Sequence, residues 1–175
     1  MSVPGWREEP IGRQHDRTGF DCGEPALNDY LLRHARTNHE RGASKTFLAI
    51  AETDDRAVLG YYSLSPASIE YARTPEILRR GLGRYDVPGF RLGRLAVSTS
   101  MQGKGMGGQL LLSAARRCIL ASGEIGGLIL LIDAKNDRVA GWYASYGAVA
   151  LNDTPRSLVL SLEIVARLLV AQGKL

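Results

Sequence analysis

Cysteine is scarce in this 175-residue chain: only Cys22 and Cys118 occur, 96 positions apart. No CxxC pair and no histidine at zinc spacing accompanies them, and His34 and His39, five apart, fall on different faces of a helix. A disulfide framework and a structural zinc site are thereby excluded, and two reduced, part-buried thiols are expected. Long apolar runs are missing as well. Gly127–Ile132 and Leu158–Val170 are short or broken by charge, against the ~20 apolar residues that a membrane-spanning helix takes. The opening MSVPGWREEP has no apolar core after a basic start, so it does not read as a signal peptide. The expected compartment is the cytoplasm. Lysine is rare too, with 4 residues against 18 arginines.

What is present fits one compact domain over residues 1–175. The apolar fraction of 45% excludes disorder, and the scattered placement of the 20 glycines excludes a collagen-like repeat. A domain of this length buries roughly two-thirds of its unfolded surface. The net charge is +4, and its distribution is uneven. Arg73, Arg79, Arg80, Arg84, Arg91 and Arg94 lie within 22 residues that hold only two acids, Glu76 and Asp86. A second basic run, Arg33, Arg36, Arg41 and Lys45, is opposed by Glu40. Concentration of this kind suits a polyanionic partner, although solvation or pairing with Glu70, Glu76 and Asp86 is the ordinary fate of such arginines.

The pattern along the chain is α/β. Pro25 opens a helical stretch with Leu27, Tyr30, Leu31 and His34 on one face, running with a break to about Arg41, where Gly42 stops it. Thr46–Ala51 and Val58–Leu64 read as a hairpin. Thr74 and Pro75 start a short helix over Ile77–Leu82, with Thr74 as its cap. Phe90–Val97 is a strand, Gly105 to about Ala121 a long helix, and Gly127–Ile132 a strand covered on both faces. Asn136–Tyr146 is a helix closed by Gly147, and Ser157–Glu163 a last strand. This order predicts a mixed central sheet flanked by helices.

The most informative stretch is Leu95–Gly108, LAVSTSMQGKGMGG, between a strand and a helix. Glycines let backbone N–H groups approach a ligand, and a helix N-terminus adds partial positive charge, so the turn reads as an anion site for phosphate. Gly103-x-Gly105-x-x-Gly108 matches the dinucleotide fingerprint, but Ser98–Gln102 intervene after the strand and nearly a hundred residues precede it. A Walker loop is excluded because Gly105, not Ser or Thr, follows Lys104.

Gln102-Gly103-Lys104-Gly105-Met106-Gly107 resembles the Q/R-x-x-G-x-G/A pyrophosphate loop of the GNAT N-acetyltransferases. Asn136-Asp-Arg-Val-Ala140-Gly-Trp-Tyr143-Ala-Ser-Tyr146-Gly147 resembles their helix of asparagine, alanine and tyrosine that ends in a glycine turn, with Ala148 standing where an aromatic commonly follows. A narrower resemblance, to the TacT-type toxins of that family, runs through Phe20-Asp-Cys22-Gly23-Glu-Pro-Ala-Leu27-Asn28-Asp-Tyr30-Leu31, Gly60-Tyr-Tyr-Ser63-Leu64-Ser65, Arg91-Leu-Gly-Arg94-Leu-Ala-Val97 and Trp142-Tyr143-Ala-Ser-Tyr146-Gly147. It implies a GNAT-type domain with acetyl-CoA as co-substrate and no metal. The strand Leu95, Ala96 and Val97 is splayed in that family and pairs with the pantetheine arm. Gln102, Gly103, Lys104, Gly105, Met106, Gly107 and Gly108 would hold the pyrophosphate, with Asn136 also on the cofactor. The resemblance further implies acetylation of the α-amino group of aminoacyl-tRNA, arrest of translation, a ribbon-helix-helix antitoxin as partner, and a possible homodimer.

Tyr143 is the candidate general acid toward the thiolate. Seven positions from Asn136, it returns to within about 20° of the same helix face, whereas Tyr146 falls about 80° away and reads as a packing residue. No carboxylate or histidine stands out as a base. An α-amino group titrates near 7.7–8.0, roughly, and esterification of its neighbour lowers that further, so this substrate class offers neutral amine unaided. Arg36, Arg79, Arg80, Arg91 and Arg94 are the candidate tRNA contacts. Two other readings compete: an acetyltransferase of a small amine or protein N-terminus, which needs no basic stripe, and a non-catalytic binding module, which needs no Tyr143.

Overall fold

The structure, a computed structural model, describes residues 2–175. Among these residues seven strands, β1 (Trp6–Pro10), β2 (Lys45–Ala51), β3 (Val58–Ile69), β4 (Val87–Val97), β5 (Ile129–Asp133), β6 (Val149–Ala150) and β7 (Ser157–Ser161), form one mixed sheet in the order β1-β2-β3-β4-β5-β7-β6. The chain divides into two compact units, one of Met1–Ser65 with Gly93–Ala114, the other of Pro66–Leu92 with Ala115–Leu175.

In the first unit, β1 (Trp6–Pro10), β2 (Lys45–Ala51) and the start of β3 (Val58–Ile69) pair antiparallel, with a bulge between Ala49 and Ile50. The helical stretch begins where Pro25 takes the first-turn position of α1 (Pro25–Asp29). A π-helical turn, Tyr30–His34, then leads into α2 (Ala35–Arg41), which Gly42 ends at a φ of +80°. The π turn alters which face is buried. One extra residue advances the helix by about 100°, so the core receives Tyr30, Leu31 and Ala35 in place of the expected His34. His34 stays in solvent beside Asp29. Around Tyr30 and Leu31 the core gathers Ile11, Phe20, Cys22, Leu48, Ile50, Val58, Tyr61 and Ala96.

The second unit holds α3 (Glu76–Arg79), the first part of β4 (Val87–Val97), β5 (Ile129–Asp133), α5 (Asp137–Ala144), β6 (Val149–Ala150), β7 (Ser157–Ser161) and α6 (Leu162–Ala171). β4 runs parallel to β5, and β5 and β6 run antiparallel to β7. Ile129–Ile132 are all buried, as a strand covered on both faces requires. Ile69, Val87, Ile129, Leu131, Leu151 and Val159 form this unit's core, with Leu78 and Leu82 against it. Thr74 is not the cap of α3. Pro75 holds that position, and the Thr74 hydroxyl instead donates to the Glu70 carbonyl at 3.0 Å. The last strand stops at Ser161, whose side chain caps α6 by accepting from the Ile164 N–H, so Leu162 and Glu163 belong to a helix rather than to the strand. Cys22 and Cys118 are free and buried. No helix among the described residues is long and apolar enough to cross a membrane.

Candidate active site

The glycine turn opens α4 (Met106–Ile125), the longest helix at 20 residues. Its first backbone N–H groups have no partner within the helix and point back over the turn. Gly103 and Gly105 hold φ values of +75° and +88°, which side-chain-bearing residues rarely adopt, and a Cβ at either would meet nothing within 4 Å. An open, positively polarised cradle results, suited to a diphosphate. Met106 differs from its expected part. Its side chain is wholly buried, so it anchors the helix start in the core and leaves only backbone to a ligand. Gly108 is buried as well, Gly107 and Lys104 are half-buried, and Gln102 is exposed.

The Gln102 carboxamide closes the loop: Nε2 donates to the Val97 carbonyl at 2.9 Å and to the Cys22 carbonyl at 2.8 Å. The strand before it sits tightly on β3. The Ser98 N–H donates to the Leu59 carbonyl at 2.8 Å, and a Cβ on Gly60 would stand 2.8 Å from the Ala96 carbonyl oxygen. On β4 the parallel register with β5 covers Gly89–Leu92, and Leu95, Ala96 and Val97 lie beyond it. Ala96 points into the core, while Leu95 and Val97 are half-buried. Sequence reasoning missed two supports of this loop. Trp6 Nε1 donates to the Gln109 side chain at 2.8 Å, and the Thr99 N–H donates to the Asp21 carbonyl at 2.9 Å. The second lay within a motif that was legible as a resemblance but had no assigned role.

In the other unit, Asn136 is the N-cap of α5: its side-chain oxygen accepts from the Val139 N–H at 2.9 Å. That cap commits Oδ1 and leaves the Nδ2 amide for a ligand. Tyr143 is 6% exposed, and burial pushes its hydroxyl up to about 12, so it keeps its proton at neutral pH. Tyr146 lies beyond the helix end and is 38% exposed. Trp142 stands edge-on to both tyrosines, at 4.9 and 5.0 Å between ring centres. Ala148 is buried.

The arginines separate into different settings. Arg91 pairs with Asp133, and Arg73 with Asp153 at 3.0 Å, rather than with Glu70, Glu76 or Asp86. Arg79 donates to the Tyr71 carbonyl and lies over its ring at 4.8 Å. Arg36 pairs with Glu40 at 2.7 Å, and Arg33 with Asp29. Arg80 is exposed. Arg94 is half-buried, its guanidinium 3.6 Å above the centre of the Tyr30 ring, which fixes its plane and leaves its N–H edge free to meet an anion.

No family model matches the chain. A tRNA-acetylating toxin of Mycobacterium tuberculosis is 35% identical over 150 residues, covering 86% of this chain and 88% of that one. The solved structure of AtaT complexed with acetyl-methionyl-tRNAfMet superposes with a TM-score of 0.87 at 28% identity, covering 94% of this chain and 99% of the other. A tyrosine-to-phenylalanine variant of AtaT, bound to the C-terminus of the antitoxin AtaR and acetyl-CoA, gives a TM-score of 0.79, also at 28% identity, over 93% and 97% of the two chains. On the fold, the glycine cradle and this identity, the chain belongs to the tRNA-acetylating toxins of the GNAT class.

Proposed function

We propose that the protein transfers the acetyl group of acetyl-CoA to the α-amino group of aminoacyl-tRNA, acting in the cytoplasm as the toxin of a toxin–antitoxin pair. The observation that carries the reading is the cradle at Gly103–Gly105, set at the N-terminus of a 20-residue helix. The relatives' complexes with acetyl-CoA, acetyl-methionyl-tRNA and antitoxin support the same substrates and partner.

Acetyl-CoA brings the thioester; the chain's residues hold, orient and protonate. Backbone N–H groups of Gly103–Gly108 take the pyrophosphate, with Lys104 adding charge. Leu95, Ala96 and Val97 offer backbone to the pantetheine arm, and an N–H there stabilises negative charge that develops on the carbonyl oxygen. Holding both reactants in one geometry removes much of the entropic part of the barrier. Asn136 contributes through its amide nitrogen. Tyr143, protonated at neutral pH and held so further by burial, supplies the proton that the departing sulfur needs. No dedicated base is required, since esterification lowers the α-amino group below its usual value of about 7.7–8.0 and leaves part of it neutral at pH 7. Arg36, Arg79, Arg80, Arg91 and Arg94 meet the tRNA backbone, with Arg80 and Arg94 the least committed to partners in the protein. The partner antitoxin is a ribbon-helix-helix protein.

Expression of the chain in a bacterial host tests the role. Growth arrest that Tyr143→Phe abolishes and the adjacent antitoxin frame relieves is the expected outcome. Normal growth with catalytically active protein rejects the toxin role and favours the small-amine reading.

A further inference from the structure

We propose that the turn from Asp21 to Asn28 is a clamp that presets the pyrophosphate loop, making Asp21 and Asn28 positioning residues for acetyl-CoA binding. This rests on the reading of that loop as the acetyl-CoA site. Asn28 uses both ends of its carboxamide: Oδ1 accepts from the Cys22 N–H at 2.9 Å, and Nδ2 donates to Asp21 Oδ1 at 2.9 Å. Asp21 Oδ1 also accepts from the Gly23 N–H at 2.9 Å. These two donors hold the Asp21 carboxyl below the usual carboxylate range, so it is an ionised acceptor at neutral pH. The locked turn directs two carbonyls at the loop. That of Asp21 accepts from the Thr99 N–H at 2.9 Å, and that of Cys22 from Gln102 Nε2 at 2.8 Å.

The loop is therefore gripped at its entry and just before its first glycine. Between these points and α4, Gly103 and Gly105 have nothing within 4 Å of where a Cβ would stand, so no side chain packs there to fix their conformation. The turn itself is tied to the core, because Tyr61, fully buried, donates its hydroxyl to the Leu27 carbonyl at 2.7 Å. A loop ordered before binding spares the ligand the ordering cost, which appears in affinity and not in the chemical step.

The test uses the full-length protein and CoA as the probe. Asn28→Ala removes both turn-locking bonds; Asp21→Asn keeps an acceptor for both donors. Asn28→Ala is expected to weaken CoA binding, read by calorimetry, about tenfold, equivalent to ~1.4 kcal/mol. KM for acetyl-CoA should rise in step, with kcat within about twofold and the loop amides exchanging faster, the affinity loss reflecting lost preorganisation alone. Asp21→Asn should retain parent affinity. Asn28→Ala combined with Gln102→Ala should lose less than the product of the single losses, because both act through one path. Unchanged CoA affinity in folded Asn28→Ala, or a fall in kcat at constant KM, overturns the clamp. If Asn28→Ala fails to fold, Gln102→Ala decides alone, and parent affinity there overturns it. Gly105→Glu separates the two levels. If it abolishes CoA binding while Asn28→Ala does not weaken it, only the clamp falls; if it leaves CoA binding intact, the loop site falls and the clamp with it.

Discussion

Tyr143 and Arg94 show how a residue's surroundings settle its chemistry. Tyr143 has no charged partner among the causes of its shift; burial alone raises its hydroxyl to about 12. It consequently keeps its proton throughout the working range, as the proposed donor must. Replacing it with phenylalanine keeps the ring against Trp142 and removes only the hydroxyl. Tyr143→Phe should therefore retain fold and acetyl-CoA affinity while single-turnover acetylation of charged tRNA falls about 10²-fold or more. The pH profile follows from the same shift. The rate should rise as the substrate amine loses its proton near pH 7–8, roughly, and Tyr143 should cause no decline below about pH 10. A descending limb near neutrality would assign the donor elsewhere. The placement of Tyr143 on a helix opened by Asn136 was legible from motif spacing. The cap formed by Asn136 was not, because the same asparagine serves either reading until its hydrogen bonds are seen.

At the scale of elements, the glycine loop and the strands around it were legible for a plain reason: four glycines in six residues at a helix start have few other uses. What escaped sequence reading was decided by neighbours rather than by local pattern. Trp6–Pro10 carries three charges in five residues and shows no alternation, yet it pairs along β2 from Ala51 to Phe47. The π turn at Tyr30–His34 follows a regular helical pattern, and only packing reveals the extra residue. The run from Ser157 through Ala171 has no Gly or Pro to divide it, so Leu162 and Glu163 read as the end of the strand and the helix after them has no start signal; its buried Leu162, Val165 and Leu169 carry the helical spacing all the same. The loop itself yields a sharp expectation. Gly105→Ala puts a Cβ at a φ of +88°, a strain of about 1–2 kcal/mol, and Gly105→Glu adds a negative charge where the diphosphate is proposed to lie. Calorimetry should show modest weakening of acetyl-CoA for alanine and loss of binding for glutamate. Equal, parent-like affinities would move the cofactor off this loop.

For the whole molecule, charge and buried titrating groups set two measurable behaviours. Arg80 is exposed and lacks the packing that ties Arg79 to Tyr71. Arg80→Glu should raise KM for charged tRNA and flatten its salt dependence, with KM for acetyl-CoA unaltered. An equal change in both would make it a structural residue. Burial raises Cys118, from 9.0, and Tyr143, from 10.0, each to about 12. Both groups hold protons in the folded chain that the unfolded chain releases. Their stabilisation is thus fully present below about pH 9 and is lost as pH rises toward 12. Thermal unfolding should show Tm level up to about pH 9 and falling beyond it; a Tm that climbs across this window contradicts the burial argument.

The central claim, acetyl transfer to the amine of an aminoacyl-tRNA, is tested most directly by incubating the protein with isotopically labelled acetyl-CoA and charged total tRNA. Digestion to terminal adenosine adducts and mass analysis then identify the product. The account predicts labelled N-acetyl-aminoacyl-adenosine, formed by the parent protein and absent with Tyr143→Phe. Label found on free amines or protein N-termini while every aminoacyl adduct stays unacetylated would contradict it.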